Sequence, residues 1–321
     1  MKWLFVLFLV CGSGAFAETP KPNDIAAYRA LVDQDARLAT TGYRLAYANR
    51  SFCKNIAVNL GFVIHDVAQY PDADTARAAF GFAQPLAVSA VVPDSPAFVA
   101  GLRAGDGLVG LSFDKWKWSG PRPKNGYDRV AKVKADIRQR LDSLKGFALQ
   151  VERNGRNVSV IINPTNMCAS DFQIDTVNGK DAGSDGNLIS VSIGLARYAS
   201  DSDEFAFIVA HEMAHNILGH RQQIDAMTGV AKKSAIIKAI VATEIDADRL
   251  SVWLMSNAGY DPQAAFRFAL RCRKDSCLGL FTDASHPGWK KRAEILTSEI
   301  AEIRSAPKSG GLVTPPLLRQ N

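Results

Sequence analysis

The sequence predicts an α+β protein: a mainly helical core with a small edge-strand sheet, preceded by a β-rich domain. Three observations predict it. Apolar residues recur at helical spacing in the runs after residue 200. Short β-branched runs punctuated by glycine and proline fill residues 78–164. One apolar run carries the pentad His211-Glu212-Met213-Ala214-His215. With 321 residues, 47% hydrophobic and 22% charged, the chain has room for two modest domains and a sizeable core. Lys and Arg exceed Asp and Glu by six without forming a basic run. That argues against a nucleic-acid partner and is compatible with peripheral association with anionic lipid headgroups.

Residues 1–17 read as a signal peptide. Lys2 gives a positive start, Trp3 to Val10 is continuously apolar, and Ala15-Phe16-Ala17 before Glu18 is a small-x-small cleavage site. As a helix, Trp3–Ala17 would span about 22 Å against a hydrocarbon core of roughly 30 Å, too short for a permanent anchor. Val10 is bulkier than the residue that normally precedes a lipidated cysteine, which argues against lipidation of Cys11. The expected destination is the bacterial periplasm. Four cysteines then remain, Cys53, Cys168, Cys272 and Cys277, and an even number in an exported chain suggests two disulfides. Three pairings are open; Cys53 with Cys168 and Cys272 with Cys277 is preferred because the second pair is close in sequence. Four free thiols, or a metal held by Cys272 and Cys277, are the alternatives.

Residues 18–77 form an N-terminal helical and strand segment expected to pack on the core. Asn23 or Asp24 can cap a helix running to about Asn49, with a break near Thr40-Thr41-Gly42. Ile56 to Ile64 contains a strand, and His65 at its end is expected to be a surface or strand-end histidine rather than a metal ligand.

In residues 78–164, Leu86 to Val92 reads as a strand, Pro93-Asp94-Ser95-Pro96-Ala97 as a turn into a short helix, and Gly105-Asp106-Gly107 as the entry to a second strand. Val130, Val133, Ile137, Leu141 and Leu144 recur at helical spacing, and Asn154-Gly155 turns a hairpin between Phe147–Arg153 and Val158–Ile162. The pattern V-x-P-x-S-P-A followed by A-G-L-x-x-G-D resembles the PDZ domains attached to bacterial periplasmic proteases. The resemblance implies a peptide added as a strand beside the helix, its terminal carboxylate held by backbone N–H groups of a glycine-containing loop. Phe80-Gly81-Phe82 is the candidate loop, which makes Gly81 and Phe82 the expected peptide-binding residues. A spacer or lid without a ligand is the alternative.

Residues 165–305 hold the core. Leu188 to Ile193 alternates as a strand and is expected at a sheet edge, where an extended substrate can pair. Ser200 to Glu204 is dense in helix-start residues, and Gly219 is placed to end the helix that follows. Two imidazoles four residues apart lie about 40° apart round a helix, so His211 and His215 can share one Zn²⁺, with Glu212 holding a water. His220 would lie about 140° from His215 and is expected to point away. From Ser234 to Asn257 a second long helix carries Glu244 and Asp248 on one face. Glu244 can supply a carboxylate oxygen to the metal, and Asp248 can accept the other ring N–H of a ligating histidine.

With Gly194-Leu195, A-H-E-M-A-H-x-x-x-G-H at Ala210–His220, E-x-x-x-D at Glu244–Asp248, and His286-Pro287 followed by Arg292, the chain resembles metallopeptidase family forty-eight. These are the HtpX, BepA and CAAX prenyl endopeptidase gluzincins. The resemblance implies a zincin-type core binding one Zn²⁺ per chain through His211, His215 and Glu244. It makes Glu212 the catalytic base and His286 a catalytic group over the site, as an extra ligand or a transition-state donor. Pro287 can open the final helix with His286 at its cap; Arg292 is expected to be structural. Residues 306–321 are expected to form a disordered tail. The function expected is zinc-dependent endopeptidase action on misfolded or envelope proteins. A peptide-binding chaperone or adaptor with a structural or self-inhibited zinc site is the alternative. Oligomeric state is not legible in the sequence.

Overall fold

The computed structural model describes residues 21–112, 114–117, 123, 125–141, 147–275 and 288–319. The expected signal peptide, Cys277 and His286 lie outside the described residues. Helices and strands both build the rest, compatible with the expected α+β class, and two large hydrophobic cores, with a smaller cluster round Tyr70 and Phe82, organise it.

The larger core belongs to the helical part. Helix α1 (Pro22–Ala48) starts with Pro22 in its first turn and buries Val32, Leu38, Leu45 and Ala46. It runs unbroken through Thr40-Thr41-Gly42, contrary to expectation, and the Phe172 ring packs so close to Gly42 that a Cβ there would stand 2.3 Å from it. Tertiary packing thus overrides the cost of about 1 kcal/mol for a glycine inside a helix. Helix α5 (Ile193–Tyr198) leads into α6 (Ser202–Leu218), whose N-cap Asp201 accepts N–H bonds from Asp203 and Glu204. Phe205 to Ala214 are all buried, so α6 is a central helix enclosed on every side. Helices α7 (His220–Met227), α8 (Lys233–Asn257), α9 (Gln263–Lys274) and α10 (Trp289–Ser305) follow, with α1, α8 and α9 packed against α6.

Strands β9 (Asp171–Asp175), β10 (Ala182–Ser184) and β11 (Leu188–Ser192) lie in the order β10-β11-β9. Strand β11 is therefore central, not the edge expected of it; β10, antiparallel to β11, and β9, parallel to it, are the edges. Ile189 and Val191 share one face and are buried in the larger core, so the alternation in sequence marks the buried face of β11 and not its place in the sheet order.

The second core belongs to a sheet ordered β2-β3-β4-β6-β7, with β5 (Asp114–Lys115) pairing β4. Its strands are β2 (Phe62–Asp66), β3 (Leu86–Val91), β4 (Gly107–Leu111), β6 (Phe147–Arg153) and β7 (Arg156–Ile162). The expected boundary at residue 78 cuts this unit, since Leu60 and Ile64 pack into the same core. Helix α4 (Asp128–Leu141) buries Val130, Val133 and Ile137 against the sheet. Arg129 fixes it to the end of β2 by two 2.6 Å bonds to Asp66.

His65, expected as a surface or strand-end histidine, lies near the end of β2 and is 6% exposed. Its Nδ1 lies 2.9 Å from the Tyr70 hydroxyl, and Phe80 and Phe82 pack against its ring. Burial pulls it down to about 3, so it is a neutral member of an aromatic cluster.

A ribbon of β1 (Ile56–Asn59) and β8 (Thr165–Cys168) joins the two parts. The Cys53–Cys168 disulfide closes it. Cys272 is also disulfide-bonded. The tail departs from expectation. Lys308–Ser309 (β12) and Leu312–Val313 (β13) pair as a hairpin, and Val313 is 2% exposed. Asn257 holds Val313 by both polar backbone atoms, accepting from its N–H at 2.8 Å and donating to its C=O at 3.0 Å. Those bonds, with Leu317 and Leu318 packed on the core, supply the order that composition does not reveal.

Candidate metal centre

Helices α6 and α8 cross so that three donor side chains meet. His211 Nε2 lies 3.2 Å from Glu244 Oε2, His215 Nε2 lies 3.5 Å from Glu244 Oε1, and the two Nε2 atoms are 3.2 Å apart. One ligand atom from each of His211, His215 and Glu244 falls within 4.8 Å of the others. Two imidazole nitrogens and one carboxylate oxygen are a donor set suited to Zn²⁺. No other trio of this kind occurs among the described residues.

The far sides of the two imidazoles are braced differently. His211 Nδ1 lies 3.2 Å from Asp248 Oδ1, within ion-pair range but off the line of a straight hydrogen bond. Asp248 is itself gripped by Arg292. Burial works against charging His211, but Asp248 and Glu244 outweigh it and push the metal-free imidazole up to about 10. Asp248 stays below the usual carboxylate range despite its burial, held there by Arg292 and His211. Arg292 thus carries out the structural role expected of it, and its partner is the carboxylate behind a candidate ligand.

His215 Nδ1 faces His220 Nδ1 at 2.9 Å. A helix continued past His215 would point His220 away from the site. The structure brings it in because α6 stops at Leu218, and Gly219 takes a left-handed conformation at φ 68° that turns the chain into α7. Angles reckoned along one helix cease to apply past that turn. The signal was the glycine, already legible as a helix end. Burial pulls His215 down to about 3 and His220 to about 4 in the metal-free site.

Glu212 is 5% exposed, and burial raises its carboxyl above the ordinary range against the opposing pull of His211 and Ser184. Ser184 is a residue that sequence reasoning missed; it ends the edge strand β10. Ala182, Gly183 and Ser184 line a cleft of about 300 Å³ together with His211, Glu212 and His215.

Gly81 and Phe82, the expected peptide-binding residues, line neither this cleft nor the cavity beside β2. Gly81 is the left-handed cap of α2 (Ala73–Phe80), and Phe82 is buried against His65. A separate cavity of about 360 Å³ runs along Asn59-Leu60-Gly61-Phe62 and β2, between them and Ile137 and Leu141 of α4. Gly61 has φ 77°, and a Cβ there would stand 2.1 Å from Ser95 Cβ, so the turn requires glycine. The Gly61 carbonyl accepts from Val92 N–H at 2.8 Å and from the Ser95 hydroxyl at 3.1 Å.

Residues 177–242 match the model of Peptidase family M48. The match covers β10, β11 and all of α6, hence His211, Glu212 and His215; Glu244 lies just past its end and joins the donor set by geometry. No curated protein matches the chain. M48 peptidases are metal-dependent, usually on zinc, and on this match the chain is a zinc metalloprotease, a hydrolase.

Proposed function

We propose that the chain is an endopeptidase that holds one Zn²⁺ on His211, His215 and Glu244 and uses Glu212 as its base. The observation that carries this reading is the convergence of the three donors in a cleft whose wall is the edge strand β10. A zinc ion held there supplies Lewis acidity, lowering the pKa of water to about 7 and polarising a carbonyl.

The protein's own groups supply the rest. Strand β10 offers backbone groups on the side away from β11, where an extended polypeptide can add as a further strand and lay its scissile bond over the donors. Glu212, one residue round the helix from His211, takes a proton from the attacking water and passes it to the leaving amine. Burial raises its carboxyl above the ordinary glutamate range. Asp248 and Arg292 hold the His211 ring in place.

In this reading the β-rich unit is PDZ-like, and its peptide site is the cavity beside β2 rather than the loop at Gly81 and Phe82. Strand β2 ends its sheet, so its outer edge can accept a peptide strand, with α4 as the opposite wall. The chain is exported to an oxidising compartment, the bacterial periplasm, a placement supported by the Cys53–Cys168 disulfide.

Casein digestion by the purified chain tests the metal requirement. Chelator should abolish cleavage and stoichiometric zinc should restore it; cleavage that survives full zinc removal would refute the reading.

A further inference from the structure

The two candidate histidine ligands are braced by different chemistries, and the second brace has no role so far. His220 is the first residue of α7, 4% exposed, with its Nδ1 at 2.9 Å from Nδ1 of His215 and its ring nearly perpendicular to it, at 79°. We propose that His220 is the positioning residue for zinc ligand His215, selecting the tautomer and ring orientation in which His215 Nε2 is free to bind the metal. The proposal rests on the reading of His211, His215 and Glu244 as ligands.

The argument is one of proton placement. Two imidazole nitrogens at 2.9 Å share one hydrogen, so one ring donates and the other accepts. His215 Nε2 faces Glu244 and His211 Nε2 and must keep its lone pair to ligate. The hydrogen therefore belongs to His215 Nδ1, and His220 Nδ1 accepts it. The opposite arrangement would put the His215 proton on Nε2, where it blocks the donor. His220 carries out by acceptance at a neutral nitrogen what Asp248 does for His211 by a carboxylate. Asp248 has its charge balanced by Arg292, whereas a neutral imidazole needs no counter-ion in a buried site.

The fold gives this contact a cause. Gly219, left-handed, ends α6 and turns the chain, and α7 begins at once with His220, which sets that ring beside His215. If His220 served only to fill space, a leucine of similar bulk would replace it.

The test uses the full chain and zinc itself, read by competition against a chromophoric chelator. His220→Leu removes the acceptor. His220→Asn keeps a carbonyl oxygen near the position of Nδ1. His220→Leu should loosen zinc by about 10- to 100-fold, and His220→Asn should stay within about threefold of wild type. At saturating zinc, casein kcat should fall for His220→Leu and KM should not change. Equal zinc affinity in all three proteins, or equal loss in both variants, would overturn the proposal. His220→Ala repeats the measurement should the leucine variant fail to fold, and thermal melts of the metal-free variants separate a folding defect from a binding one. His215→Ala should lose zinc altogether; if it does not, the ligand assignment falls, whereas failure in the His220 series alone refutes only the positioning role.

Discussion

Arg292 of α10 grips Asp248 of α8 with both arms, Nε to Oδ2 at 2.6 Å and Nη2 to Oδ1 at 2.5 Å, and neither side chain is more than 1% exposed. The pair fastens the last helix to the helix that carries Glu244 and stands directly behind His211. Arg292→Ala leaves a buried carboxylate without its counter-ion and should destabilise the fold by about 3–5 kcal/mol. Urea denaturation measures this, and a loss below about 1 kcal/mol would refute the structural role.

Asp35 gives a pH dependence with a defined sign. Burial pushes its carboxyl from 3.8 up to about 6, against the pull of the Ile174 N–H and Lys134. Between these values the folded chain holds a proton that the unfolded chain releases. This group's contribution to stability is therefore best below about pH 4 and falls as pH rises through 6. Asp35→Asn cannot ionise, and should gain about 1–3 kcal/mol at pH 7.5 and almost nothing at pH 4. Parallel urea titrations at the two pH values check it; an equal effect at both would contradict the assignment.

The helical core was largely legible in the sequence. The α6 pentad stood in a wholly apolar run between clear start and stop residues, and Glu244 and Asp248 shared a helix face, so geometry close to that observed follows from helical periodicity alone. What was not legible depends on contacts between distant segments. Phe80-Gly81-Phe82 and Leu60-Gly61-Phe62 look alike in sequence. The first glycine caps a helix and the second turns into the edge strand, which Ser95 reveals by crowding Gly61. The tail reads as disordered because its anchor, Asn257, lies far back in the chain. His220 departs from the angle that helical periodicity predicts because Gly219 ends α6 before it.

The Cys53–Cys168 disulfide closes a loop with a sequence separation of 115 residues. Chain entropy assigns such a link about 5 kcal/mol at most, and paired serine substitutions should cost about 2–5 kcal/mol. Thermal unfolding under non-reducing conditions measures it. An unchanged melting temperature would show that the ribbon of β1 and β8 holds without the covalent link.

The cavity beside β2 should bind peptide ends. A fluorescent peptide ending in valine with a free carboxylate should bind at least about tenfold more tightly than its C-terminal amide. Leu141→Glu, which puts a charge on the apolar wall, should weaken it, since Leu141 lines the cavity. Fluorescence polarisation reads both. Equal binding of acid and amide would remove the proposed carboxylate site.

The most direct test of the central claim is Glu212→Gln in the full chain, assayed for zinc content and casein cleavage together. Glu212 lies against the donors without being one of them. The variant should therefore keep one zinc per chain and lose about 10²-fold or more of its cleavage rate. Cleavage at the wild-type rate with zinc still bound would contradict the account.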